Sequence, residues 1–172
     1  MKALDKLRNS LDLDEKKGYA IAVMVVLVFA ATLTAGYFVY LAFRGPPEPY
    51  TTIYVLSADK TLDLPETVVI GQNSTFDVWV TAENHMGETY LFEISLKIVE
   101  DSNIEFPVDV EPESIYVMTI GNGEKSEQLA NVSIENVGRY MVVFELWRYA
   151  EPSVVEYTGN SCVLNIEAIS EP

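Results

Sequence analysis

A chain of 172 residues with 11 Lys+Arg against 26 Asp+Glu carries a formal net charge of −15, a field that repels phosphate backbones and anionic head groups and speaks against nucleic-acid partners. Its single cysteine and single histidine exclude an internal disulfide and leave zinc short of ligands, so a folded domain must be held by packing alone. The charge is also segregated: residues 1–17 hold five cations and four acids, whereas residues 45–172 hold five cations and 22 acids, a net −17.

Residues 1–17 read as a short tail with Lys2, Lys6, Arg8, Lys16 and Lys17. The uncharged run 18–43 follows. At about 1.5 Å per residue it makes a helix of roughly 39 Å, enough to cross a hydrocarbon core of about 30 Å. A cleaved signal peptide is the competing reading, but its apolar core would span about 7–15 residues and end in a small-x-small site. Here the run is longer, and Tyr37-Phe38-Val39-Tyr40 stands where small residues would be wanted, which favours a retained anchor. Only Arg44 flanks the far side before Lys60, so the positive-inside bias puts the N-terminus in the cytoplasm and the C-terminal domain outside the cell membrane. Tyr19, Tyr37 and Tyr40 suit the two interfacial belts. Ala31/Ala35 and Thr32/Gly36, spaced four apart, share one helix face on which another membrane helix could pack, although Ala and Gly are also ordinary membrane composition. No charge lies in the span, so neither a proton relay nor an ion pathway is expected from it.

Residues 44–50 form a proline-rich stalk with Pro46, Pro47 and Pro49; in polyproline geometry six residues reach at most about 19 Å, which keeps the next domain near the membrane.

Over 51–172 the hydrophobic period changes from 3.6 to 2. Residues 51–56 open as a strand. Phe76, Val78, Val80 and Ala82 alternate with polar partners, and after a turn at His85-Met86-Gly87 so do Tyr90, Phe92, Ile94, Leu96 and Ile98, the pattern of an antiparallel hairpin with one face in a core. Further strands are expected at 115–120, 128–134, 140–147 and 162–168, separated by turns at Gly121-Asn122-Gly123, Asn136-Val137-Gly138 and Thr158-Gly159-Asn160. Seven short strands without an intervening helix predict an all-β immunoglobulin-like sandwich ectodomain behind one N-terminal transmembrane α-helix. Val137-Gly138-Arg139-Tyr140 matches the step of a tyrosine corner.

On the face opposite the core the alternation places Trp79, Leu91, Met141, Val143 and Trp147. Clustered, they would form an apolar patch of the kind that marks a protein interface; alternatively the 100–113 loop folds over them, or one strand's in/out assignment slips.

Asn73-Ser74-Thr75 and Asn131-Val132-Ser133 are acceptor sequons, so N-linked glycans are expected on Asn73 and Asn131 in a cell that attaches them. Asp101, Glu105, Asp109, Glu111 and Glu113 crowd one stretch, but their spacing fits no calcium-loop template and Pro107 and Pro112 stiffen it, so a solvated acidic loop is expected and no metal. There is no Gly-x-Ser-x-Gly elbow, no phosphate loop and no second histidine, so neither catalysis nor a cofactor is expected.

The stretches 50–59 (YTTIYVLSAD) and 64–73 (LPETVVIGQN), the strand running into Asn84-His85, and the closing segments 138–148 (GRYMVVFELWR) and 162–166 (CVLNI) together resemble an uncharacterised family of archaeal membrane proteins. The resemblance covers the outer domain and implies a C-terminal, extracytoplasmic, cell-adhesion-like immunoglobulin sandwich of unknown activity. Many such relatives carry several membrane helices. A single helix departs from that pattern and implies that the domain serves an integral membrane partner: a non-catalytic accessory subunit, or alternatively a structural anchor to a surface layer or an archaellum-type filament base.

Overall fold

The computed structural model describes residues 15–45, 48–100, 104–151 and 153–171; most of the expected tail, Pro46 and Pro47 of the stalk and Asp101 of the acidic loop lie outside them. The chain divides into two units, Met1–Pro47 and Glu48–Pro172.

In the first unit, α1 (Glu15–Phe43) runs for 29 residues, and its stretch Gly18–Phe43 is long and apolar enough to cross a membrane. Ala, Leu and Met favour the helix and no proline interrupts it. Thr32 and Thr34 spend their hydroxyls on the carbonyls of Val28 and Ala30, at 2.8 Å each, so neither leaves a free polar group on an apolar surface. The helix stops where Gly45 precedes Pro46, a position from which the proline ring disfavours helical backbone.

Among the described residues the second unit has eight strands: β1 (Tyr50–Ser57), β2 (Thr67–Val69), β3 (Thr75–His85), β4 (Tyr90–Glu100), β5 (Ser114–Ile120), β6 (Glu124–Ser133), β7 (Gly138–Glu151) and β8 (Val154–Ile169). They form a three-stranded sheet ordered β1-β3-β6 and a five-stranded sheet ordered β2-β8-β7-β4-β5. All pairs are antiparallel except β2 with β8. The alternation read from sequence is what joins the sheets. Val55, Val78, Val80, Ala130 and Val132 from one and Phe92, Ile94, Leu96, Val142, Phe144, Leu146 and Ile166 from the other enter one continuous core, which makes the unit a two-layer β-sandwich. Each large aliphatic side chain so buried contributes about 1.5–3 kcal/mol.

Three sequence expectations change. There are eight strands rather than seven, because the three-residue β2 is too short to show alternation; its Val68 is fully buried through a parallel pairing with β8. Thr158-Gly159-Asn160 is not a turn. Leu146 pairs with Asn160 and Trp147 with Tyr157, so Thr158 and Gly159 form a bulge inside β8, where Gly159 takes φ +83 and re-aims the strand. The β7–β8 hairpin closes instead between Glu151 and Val154. Finally, Tyr140 is no tyrosine corner: its ring lies over Gly138, where a Cβ would come within 3.3 Å of it, and its hydroxyl bonds to no other described residue.

One end of the sandwich is tied by a single buried amide. Asn84 Nδ2 donates to the carbonyls of Glu88 at 2.7 Å and Ile120 at 2.8 Å, and its Oδ1 accepts from the Met86 N–H at 2.9 Å. The Gly123 N–H donates to the Asn84 carbonyl at 2.7 Å, so the β3–β4 and β5–β6 turns hang on one residue.

Candidate functional site

The outward face of the five-stranded sheet is built by Leu91, Glu93, Ser95, Lys97 and Val99 of β4, Met141, Val143, Glu145 and Trp147 of β7, and Ile115 and Val117 of β5, as the strand registers require. Part of it is covered. The connection from β4 to β5 crosses the sheet as a strap over residues 104–113, and Val108 packs with Met141 and Val143 in a second small core that Val99, Ile104 and Val163 border. The strap is clamped by a buried ion pair. Lys97 Nζ lies 2.8 Å from Glu145 Oε2; Lys97 also donates to the Val108 carbonyl at 2.6 Å, while Glu145 Oε1 accepts the Val108 N–H at 2.6 Å. Both backbone groups of the strap's buried residue are thus held by opposite charges, the arrangement that lets an ion pair survive desolvation. Glu105, Asp109, Glu111 and Glu113 on the same strap are exposed. Among the described residues no group of three or more His, Cys, Asp or Glu is placed to hold a metal ion.

The five sequence-selected interface residues therefore do not form one exposed patch. Met141 (8 % exposed) and Val143 (0 %) lie under the strap, the covered alternative. Trp79 belongs to the other sheet and cannot join them. Trp147 is half-buried: its Nε1 donates to Ser95 Oγ at 3.1 Å and its ring meets Tyr157 at 5.3 Å. Leu91 is 39 % exposed and has neighbours that the sequence did not single out, Ile115 (52 %) and Val117 (53 %). Val117 is paired with Glu93, two residues from Leu91. Strand β5 is one edge of the sheet and has no charged residue along Ser114–Ile120. Exposed edges ordinarily carry charge or proline that blocks further pairing. Nearby, donation of the Tyr149 hydroxyl to Glu93 at 2.8 Å raises that phenol above its usual range.

On the outward face of the three-stranded sheet, Trp79 pairs with Leu56 and Leu129. Its Nε1 donates to the Ala58 carbonyl at 3.2 Å, and the Lys60 ammonium stands 4.5 Å from its ring centre. Glu127, bonded by Lys60 and Lys125, is held below the usual carboxylate range. Asn131 lies on this face, exposed, with Nδ2 2.8 Å from Asp77 Oδ1; Asn73 sits in the β2–β3 turn, its Oδ1 accepting the Val69 N–H at 2.6 Å. Ala31, Thr32, Ala35 and Gly36 are all exposed on α1, and nothing lies within 4 Å of the Cβ position of Gly36.

His85 stacks on Tyr50 at 4.5 Å and lies 3.6 Å from Glu83. Cys162 borders the main core, and burial pushes its thiol up against weaker opposing hydrogen bonds from the Val55 and Val163 backbone. A raised pKa means that the folded chain keeps the proton that the unfolded chain has already released. Native Cys162 is therefore expected to react with a soluble disulfide reagent only as pH climbs above the usual thiol range, whereas the urea-unfolded chain reacts at lower pH. Its contribution to stability is complete below the unfolded pKa and is lost as pH rises toward the folded one. Identical pH–rate profiles for both states would contradict the burial.

No family model and no curated protein matches this chain. Solved structures do. The CARDB domain of a Pyrococcus furiosus protein, determined in solution, is 14 % identical over 71 % of this chain and 96 % of its own, with a TM-score of 0.49. A crystal structure of that domain in complex with di-metal ions is 15 % identical over 72 % of this chain and 90 % of its own, with a TM-score of 0.48. A β-glucosidase from Listeria innocua is 12 % identical over 72 % of this chain but only 16 % of the enzyme, with a TM-score of 0.45. Likenesses of this size concern the outline of a β domain, and no ligand or activity follows from them.

Proposed function

We propose that this chain is a non-catalytic, single-pass accessory subunit of a larger membrane protein complex, and that its outer β-sandwich makes the protein contact through the β4–β5 margin of the five-stranded sheet. The observation that carries the reading is the conjunction there of exposed Leu91, Ile115 and Val117 with a charge-free edge strand, on a domain whose net charge is −17. An apolar margin on so acidic a surface is the feature that association would use. In this reading α1 spans the cell membrane with its cationic tail in the cytoplasm, the Ala31/Ala35 and Thr32/Gly36 face packs on a partner helix, and the sandwich is an extracellular immunoglobulin-like domain of the archaeal family that it resembles. A glycan on Asn131 would occupy the outward face of the three-stranded sheet and leave the five-stranded one for protein.

The test is site-specific photo-crosslinking of the full-length protein in its native membrane, with the probe at Val117 and, for comparison, at Leu129. Capture of one integral membrane protein from position 117 and not from 129 is expected. Surface-layer or filament protein captured at 117 would replace the subunit reading with the anchor, and equal capture at both positions, or none, would overturn the assigned face.

A further inference from the structure

A second feature lies away from the β4–β5 margin. An open cleft of about 390 Å³ is lined by the start of β1, the β3–β4 turn and the stretch of β8 that carries the bulge, a volume within the range of small-ligand sites. The bulged stretch of β8 supplies part of its lining. Thr158 and Asn160 of this stretch belong to the lining, and Asn160 reaches Thr51 at the start of β1; bulges recur where a strand passes beside a site.

The cleft combines flat rings with a neutral set of polar groups. Tyr50, half exposed, lies nearly parallel to His85, at 15°. Tyr157, also in the lining, meets the Trp147 ring at a 52° tilt. Arg148 lies 5.2 Å over the Tyr90 ring and donates one N–H to Glu156 at 2.8 Å, which leaves further guanidinium donors and a second carboxylate oxygen. Asn160 Nδ2 is committed to Thr51 Oγ1 at 2.7 Å, which orients the amide and keeps its oxygen as an acceptor. Arg148 and Glu156 cancel in charge. Paired with each other, they offer neither an anion nor a cation an unmatched counter-charge, and an anion would in addition meet the repulsion of the whole acidic domain. A polyhydroxylated ring without charge uses what is present: its C–H face lies on an aromatic ring, and its neighbouring hydroxyls meet a guanidinium, a carboxylate and an amide oxygen. We infer that this cleft is a binding site for a short neutral saccharide, either free or carried on a cell-surface polymer.

The experiment uses the full-length protein in lipid nanodiscs, so that no sugar-headed detergent competes. Trp79→Phe leaves Trp147, whose ring touches Tyr157, as the sole tryptophan reporter. Methyl glycosides of glucose, galactose, mannose and N-acetylglucosamine are titrated one at a time, with tetramethylammonium as a cationic comparison. A saturable Trp147 signal with at least one glycoside is expected. Tyr50→Ala and Tyr157→Ala are each expected to weaken it about tenfold by removing a ring face, while the far-UV spectrum and melting temperature of the exposed Tyr50→Ala variant stay unchanged. Competition by an oligosaccharide released from the native cell surface would mark the polymer as the source, and its failure beside a binding monosaccharide would mark the free sugar. Saturation by none of the glycosides, saturation by tetramethylammonium alone, or undiminished binding in Tyr50→Ala would overturn the assignment.

Discussion

Replacing Lys97 with methionine is expected to lower the stability of the β domain by about 3–5 kcal/mol, because it leaves the fully buried Glu145 carboxylate without its counter-charge. Glu145→Leu, which strands the Lys97 ammonium, should cost a similar amount. The Lys97→Met/Glu145→Leu double variant separates the charge from the clamp. With both ions gone no buried charge is uncompensated, so the loss in urea midpoint should be smaller than for either single variant, and the cycle should give a coupling of a few kcal/mol. The strap nevertheless loses both side-chain partners of Val108; the carbonyl keeps the Val110 N–H at 3.0 Å, but the Val108 N–H is left unpaired, which costs a buried backbone group about 1–3 kcal/mol. Peeling the strap away lets those groups hydrate while the main core, which shares no member with the Val108 cluster, stays intact. All three variants should therefore speed hydrogen exchange at the Val108 N–H and increase dye binding at the uncovered Met141 and Val143, but only the two single variants should show the full loss in global stability. Single-variant costs below about 1 kcal/mol, the range of solvated surface pairs, would mean that the pair is not sealed by the strap.

Asn84→Ala is the second large effect, about 2–4 kcal/mol. The variant removes three hydrogen bonds at once and leaves the Ile120 carbonyl without its partner beside a residue that is 2 % exposed. Asn84→Asp is the discriminating case. It matches the shape and keeps the Oδ1 acceptor for the Met86 N–H, yet it removes both donors and places an acid among carbonyl oxygens, so it should be at least as destabilising as alanine. Urea unfolding measures the loss, and amide exchange at Gly123 reports whether the β5–β6 turn loosens with it. Near-wild-type stability of Asn84→Asp would show that the tie between the turns contributes little.

None of these three residues, Lys97, Glu145 and Asn84, stands out in the sequence, and the reasons are physical. Lys97 and Glu145 read as two ordinary outward charges 48 positions apart; only the pairing of β4 with β7 puts them on one face, and only the strap removes the water. A signal was there in retrospect. They alternate with Val99, Met141 and Val143, so two opposite charges stand among apolar residues on a face that should have been polar. Asn84 ends a strand, where an amide is unremarkable until two distant turns arrive beside it. The grouping of Trp79 with Leu91 and Trp147 failed for a related reason: alternation says which residues of a strand share a side, but not which sheet the strand joins.

What was legible was local. A lipid-length helix needs only an unbroken charge-free run, and the inward set of β3, β4 and β7 needs only a period of two, because in each case neighbouring residues along one segment carry the whole signal. The parallel β2 edge, the bulge in β8, the strap with its buried ion pair and the cleft beside Tyr50 were decided only when segments far apart in the chain were packed together. Their energies come from removing water between partners that no single segment contains.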